Sequence, residues 1–210
     1  MVVAQTQTAG RGRSGRHWAS PVGNLYGSVL WRPACPAICG GQFALLAGLA
    51  FAEALSACCG DVPPIGLKWP NDVMIGSAKL AGLLLDASVD AAGIIEWLVI
   101  GFGANLVTAP SLANRATVAI AAFAPPPSPE AVLAVLLDRL AFWREDLARD
   151  GGVGLRAAWL ARAHPRGTAL SVDGGRLTGW FEGIDAEGSL LLRMQDGAVQ
   201  RVRSGDVGLP

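Results

Sequence analysis

Residues 68–85, KWPNDVMIGSAKLAGLLL, carry the reading that decides the fold. Pro70-Asn71-Asp72 has turn chemistry. The apolar runs 73–75 and 79–85 are split by Gly76-Ser77, a pattern that predicts a β-hairpin. A short apolar run, residues 65–69, leads into it, and residues 97–103 supply another strand downstream. Upstream, residues 24–31 read as a strand ended by Pro33 and Pro36. Several strands meeting few helices predict an α+β architecture, a mixed sheet with packed helices rather than a doubly wound one.

Residues 41–59 read as an alanine- and leucine-rich helix that ends near Gly60, and Pro63-Pro64 forbids its continuation. Its apolar stretch, residues 43–52, is stopped by Glu53, short of the roughly 20 residues a spanning helix needs, so it reads as a buried helix. The proline-rich residues 124–129 precede a long helix in which Ser128 is the N-cap and Pro129 the first helical position. Val132, Leu133, Leu136, Leu137, Leu140, Trp143 and Leu147 form its apolar stripe. From about Arg166 the chain changes to short alternating runs broken by Asp173-Gly174-Gly175, Ala186-Glu187-Gly188 and Asp196-Gly197. These hairpin signals predict a small β-barrel of about 45 residues.

Hydrophobic residues make up 51% of the chain and charged residues 16%, a globular composition. Lys+Arg and Asp+Glu are equal at 17 each, which argues against a nucleic-acid module, where a basic surplus is usual. The first residues lack a basic segment followed by an apolar one, so no secretory signal and a cytoplasmic location are expected. Cys35, Cys39, Cys58 and Cys59 are expected to be reduced and mostly buried, and His17 and His164 show no zinc-ligand spacing to them.

Residues 9–18, AGRGRSGRHW, follow the opening apolar residues 1–4 and contain G-x-G-x-x-G. The dinucleotide reading fails, because that fingerprint needs a helix opening at its third glycine and an acidic residue about 20 positions on. Here Gly15 runs into Arg16-His17-Trp18-Ala19-Ser20-Pro21, and Cys35 stands at the distant position. A solvated turn remains open, as does an anion site in which glycine N–H groups and Arg11, Arg13 and Arg16 converge on a phosphate. Taken singly, Lys68 reads as a solvated strand end, Asn71-Asp72 as a turn and Lys79 as an exposed lysine beginning a strand.

Together the segments QTAGRGRSGRHW (7–18), SPVGNLYGSVLW (20–31), KWPNDV (68–73), KLAGLLLD (79–86) and IGFGANL (100–106) resemble, in order and spacing, the catalytic domain of biotin protein ligases. Residues 179–207 look like that family's SH3-like domain. The resemblance implies a class II synthetase-like catalytic domain over residues 1–163 and an SH3-like β-barrel over 164–210. It also implies an AMP-forming ligase: biotin and ATP give biotinyl-5′-AMP, and a lysine of a biotin carboxyl carrier protein domain then takes the biotin. Mg²⁺ is expected with ATP, with no protein metal site. No DNA and no membrane are expected as partners, and a homodimer is compatible with the family.

Carried over by position, Gln7 would hydrogen-bond the biotin ring. Gly10, Arg11, Gly12 and Arg13 would order over biotin and the adenylate, and Trp18, Tyr26, Gly101 and Gly103 would complete the pocket. Lys79 would contact the biotin carboxylate and the α-phosphate, with Arg13 and Asp72 as further catalytic groups. Asn71 and Asn105, with Arg13 and Lys79, would contact the nucleotide, and Asp72 would lie near the carrier lysine. Family members also carry a Ser-Thr-Asn segment ahead of the arginine loop, which residues 1–210 do not contain, and weaker biotin binding than in an extended chain is expected. Ala19 stands where some members have an aromatic residue, and the helix-turn-helix repressor role of some members is not expected. A lipoate or octanoate ligase and a non-catalytic biotin- or carrier-binding protein are the alternatives.

Overall fold

The computed structural model describes residues 1–113 and 115–208. Its main sheet contains β1 (Val2–Val3), β2 (Leu25–Trp31), β3 (Ile65–Lys68), β4 (Asp72–Ile75), β5 (Ala78–Val89) and β6 (Ile95–Ala104), in the order β1-β2-β6-β5-β4-β3. The expected hairpin is β4–β5, turning at Gly76 with φ +57°. Every ladder of this sheet is antiparallel, and among the described residues the one parallel pairing is a bridge from Lys79 to Thr117.

Three helices cover one face. The first, α1 (Gly40–Cys58), has residues 45–52 fully covered, and Phe51 meets Phe102 of β6 edge-on at 5.2 Å. With the 3-10 turn before it, α1 is long and apolar enough to cross a membrane, but it lies inside the fold as a core helix. The next helix, α2 (Pro129–Asp150), starts as expected, with Ser128 accepting from Ala131 N at 3.2 Å. Val132, Leu133, Leu136, Leu140 and Trp143 are buried, whereas Leu137 is exposed and Leu147 half-buried. Its C-cap Gly151 has φ +69°. Asp150 then accepts from the N–H groups of Gly152, Val153 and Gly154 and caps α3 (Val153–Leu160), a helix too short to announce itself by periodicity.

The small β unit consists of β7 (Ala169–Val172), β8 (Leu177–Ile184), β9 (Leu190–Arg193), β10 (Val199–Val202) and β11 (Val207–Gly208), antiparallel throughout in the order β10-β9-β8-β7-β11. It packs closely on the first unit. A Cβ on Gly188 would come within 2.4 Å of the Gly41 backbone, and Trp69 Nε1 donates to Gly188 O at 3.0 Å. The four cysteines are free, but only Cys59 is buried; the other three are half-buried, Cys58 at the end of α1, Cys39 in the turn before it and Cys35 just ahead of that turn. Burial pushes the Cys59 thiol up to about 11.

Candidate active site

Alternation along β5 and β6 sends Leu83 and Phe102 toward the helices, and Gly82, Leu84 and Asp86 with Trp97, Val99, Gly101 and Gly103 to the other face. That face floors an open cleft of about 650 Å³. Gly82 and Gly103 are partners across the ladder. A Cβ on Gly103 would lie 2.8 Å from the Trp18 ring, and one on Gly82 would lie 2.7 Å from Lys79 Nζ. The paired glycines thus form a trough for an indole and an ammonium, which themselves stack at 5.1 Å.

The arginine segment is a tight hairpin rather than a helix start. Trp18 N donates to Gly10 O at 3.0 Å, Gly12 N to Arg16 O at 2.7 Å, and Arg11 bridges His17. Ser14 and Gly15 turn it with φ +55° and +72°. A Cβ on Gly10 would lie 2.4 Å from Trp18 O, so this glycine serves the hairpin's own close approach. Two arginines reach the residues just before the last strand of the small unit: Arg13 Nη1 donates to Gly205 O at 3.0 Å, and Arg16 Nη1 pairs with Asp206 Oδ2 at 2.7 Å. That bond raises Arg16 and lowers Asp206.

Asp72 is buried at the start of β4, with 4% of it exposed, and is ringed by cations. Lys79 Nζ lies 2.5 Å from Oδ1, Lys68 Nζ lies 3.7 Å from Oδ2, and Arg115 Nη2 bonds Oδ2. A register shift at Val73/Met74 pairs Met74 with Lys79 and Val73 with Ala81, which brings Lys79 over Gly82. Burial pulls Lys79 and Lys68 below the ordinary lysine range, against the opposing pull of Asp72. Lys68 also donates to Val207 O at 2.8 Å, so it is a buried tie and not a solvated strand end.

Of the residues expected at the site, Gln7, Arg11, Gly12, Arg13, Trp18, Asn71, Asp72, Lys79, Gly101, Gly103 and Asn105 line the cleft. Gly10 and Tyr26 do not. Tyr26 is buried in β2 and donates to Pro21 O at 2.8 Å, holding the segment between hairpin and strand. Gln7 Oε1 accepts from Ser20 Oγ at 2.8 Å. Asn71 Nδ2 donates to Leu83 O at 2.6 Å and Asn105 Nδ2 to Val118 O at 3.3 Å, so both amides now serve the backbone. Sequence reasoning missed Arg115 and Gly82. Arg115 has no motif around it, whereas a glycine inside a strand is a signal of close approach that Gly82 already carried. An apolar trough beside a dense cationic wall suits a ligand with an apolar body and an anionic end.

Residues 1–105 match the biotin/lipoate A/B protein ligase family, and residues 168–209 match the biotin protein ligase C terminal domain. The chain belongs to the biotin/lipoate protein ligase family. It is 37% identical over 205 residues to the biotin--[acetyl-CoA-carboxylase] ligase of Paracoccus denitrificans, covering 91% of this chain and 83% of the relative. It is 32% identical to the bifunctional ligase/repressor BirA of Escherichia coli, over 99% of this chain and 65% of the relative. Among solved structures it resembles the biotin protein ligase from Aquifex aeolicus in complex with biotin and ATP. There the TM-score is 0.80 and the identity 26%, over 98% of this chain and 86% of the other.

Proposed function

We propose that this chain is an AMP-forming biotin protein ligase that activates biotin with ATP and passes it to a lysine of a biotin carboxyl carrier protein domain. One observation carries the reading. Lys79 and Asp72 lie 2.5 Å apart beside the Gly82–Gly103 trough, under Trp18 and facing the arginine hairpin. An apolar ring-and-chain acid fits the trough, and its carboxylate then ends among cations.

In the first step a carboxylate oxygen of biotin bonds to the α-phosphorus, and the bond from that phosphorus to the bridging oxygen of pyrophosphate breaks. Two anions must approach each other, and Lys79, with Arg11 and Arg13, supplies fixed positive charge for both. Trp18 covers the ring system; its Nε1 is buried with no acceptor among the described residues, and so is a donor available to a ligand. Asn71 and Asn105 can exchange their backbone partners for the nucleotide. In the second step the carrier amine bonds to the activated carbonyl carbon and gives its proton to water, the bond from that carbon to the AMP oxygen breaks, and Asp72 holds the cations that neutralise the departing AMP.

Both oxygens of Asp72 are committed to cations, and no cluster of three His, Cys, Asp or Glu side chains occurs among the described residues. These residues do not fit a protein-held Mg²⁺ site. Mg²⁺ enters this reading only as the counter-ion of ATP. The division into residues 1–163 and 164–210 is likewise our reading, supported by the two family matches and the separate strand sets. The test is to incubate the protein with biotin, ATP, Mg²⁺ and a carrier domain and follow acceptor mass. A gain of one biotin is expected; transfer of lipoate without biotin, or no transfer, would sink the assignment.

A further inference from the structure

We infer that Arg115 is an exchangeable cation of this site, neutralising Asp72 when no nucleotide is bound and swinging onto the β- and γ-phosphates of ATP when it binds. This rests on the adenylating reading above and adds a residue to it. The three cations around Asp72 are held very differently. Lys68 is fixed by Val207 O at 2.8 Å, and Lys79 lies against Gly82 with its ammonium over the Trp18 ring. The Arg115 guanidinium has one side-chain partner among the described residues, Asp72 Oδ2. Its side chain is 24% exposed, against 12% for each lysine, so it is the easiest of the three to detach.

The backbone beside Arg115 is held in place. Lys79 N donates to Ala116 O at 2.9 Å, and Val118 N donates to Lys79 O at 3.0 Å. Arg115 therefore leaves Asp72 by rotation of its side chain, with its Cα staying level with Lys79. Lys79 sits on Oδ1 and Arg115 on Oδ2, so the two cations stand one carboxylate apart, a spacing suited to successive phosphates. A polyphosphate carries several charges and outcompetes a single carboxylate for the least-held partner. A planar guanidinium can then give it two parallel N–H bonds. As the α-phosphorus–oxygen bond breaks, its electron pair leaves with pyrophosphate, and a guanidinium on that group stabilises the growing charge.

The test uses Arg115→Gln and Arg115→Lys in the full chain. For Arg115→Gln, the KM for ATP and the half-saturating pyrophosphate in the reverse reaction should both rise about 10- to 100-fold, the loss expected for a charge-assisted hydrogen bond. Biotin affinity by calorimetry should stay within about twofold, since Lys79 remains in place for its carboxylate. Arg115→Lys keeps a charge on Asp72 but loses the paired donors, so it should recover the melting temperature and only part of the pyrophosphate dependence. That variant also carries the test should Arg115→Gln melt early. Unchanged ATP and pyrophosphate dependence in an active protein overturns the assignment of Arg115 alone. So does a loss confined to stability and biotin affinity. A wild type that releases no pyrophosphate from ATP and biotin overturns the adenylating reading itself.

Discussion

Lys79 is charged in a place that disfavours charge. Burial lowers its pKa below that of an ordinary lysine, while Asp72 at 2.5 Å opposes the shift. The ammonium is present below the lowered pKa and lost above it. The alkaline limb of kcat/KM for ATP should therefore fall at lower pH than an exposed lysine would give, and Lys79→Arg should move it upward, because a guanidinium does not titrate there. Lys79→Ala should leave the fold intact and slow adenylate formation by at least about 100-fold, the usual loss of a preorganised donor. An unchanged adenylation rate in that variant would return Lys79 to a structural role. Lys79, Asp72 and the arginines were legible in the sequence because their neighbours in the chain form motifs. Arg115 was not, since it meets Asp72 from 43 positions away and nothing local to it signals that meeting.

Elements were legible where their signals are local. Pro63-Pro64 and Gly60 end α1, Ser128 starts α2, and Gly76-Ser77 turns the hairpin, all as the sequence implies. The register shift in β4–β5 was not, because it depends on which strand lies alongside, and α3, though capped locally by Asp150, is too short to show a periodicity. How the small unit sits against α1 was equally hidden. Gly188 meets Gly41 backbone to backbone, at φ +88°, where no flexible side chain can move aside. Gly188→Ala should cost about 2–3 kcal/mol from overpacking and the left-handed backbone. That corresponds to a melting temperature lower by about 5–10 °C for a protein of this size. A melting curve unchanged within a degree would show that the joint gives way without cost.

Across the whole molecule, β11 and the residues before it anchor the cationic wall of the cleft. Gly205 O holds Arg13, Asp206 holds Arg16, and Val207 O holds Lys68. The Arg16–Asp206 pair is half-exposed, so its own worth is at most about 1 kcal/mol. Asp206→Ala should barely change stability, and should speed release of preformed adenylate about 2- to 5-fold, the hairpin population that such a pair can shift. Equal release from wild type and variant, followed by rapid filtration, would show that the hairpin orders without this tie. No local pattern signals these contacts, since they join residues 192, 190 and 139 positions apart. That separation also sets an order in time. On the ribosome the arginine hairpin is made long before its partners at 205 and 206, so a nascent chain can build α1 and the main sheet while the cationic wall of the cleft still lacks its far support. The protein should therefore retain its adenylate fully only once residues 205 and 206 have folded against the hairpin, and chains stalled before residue 205 should bind biotin yet release the activated product faster.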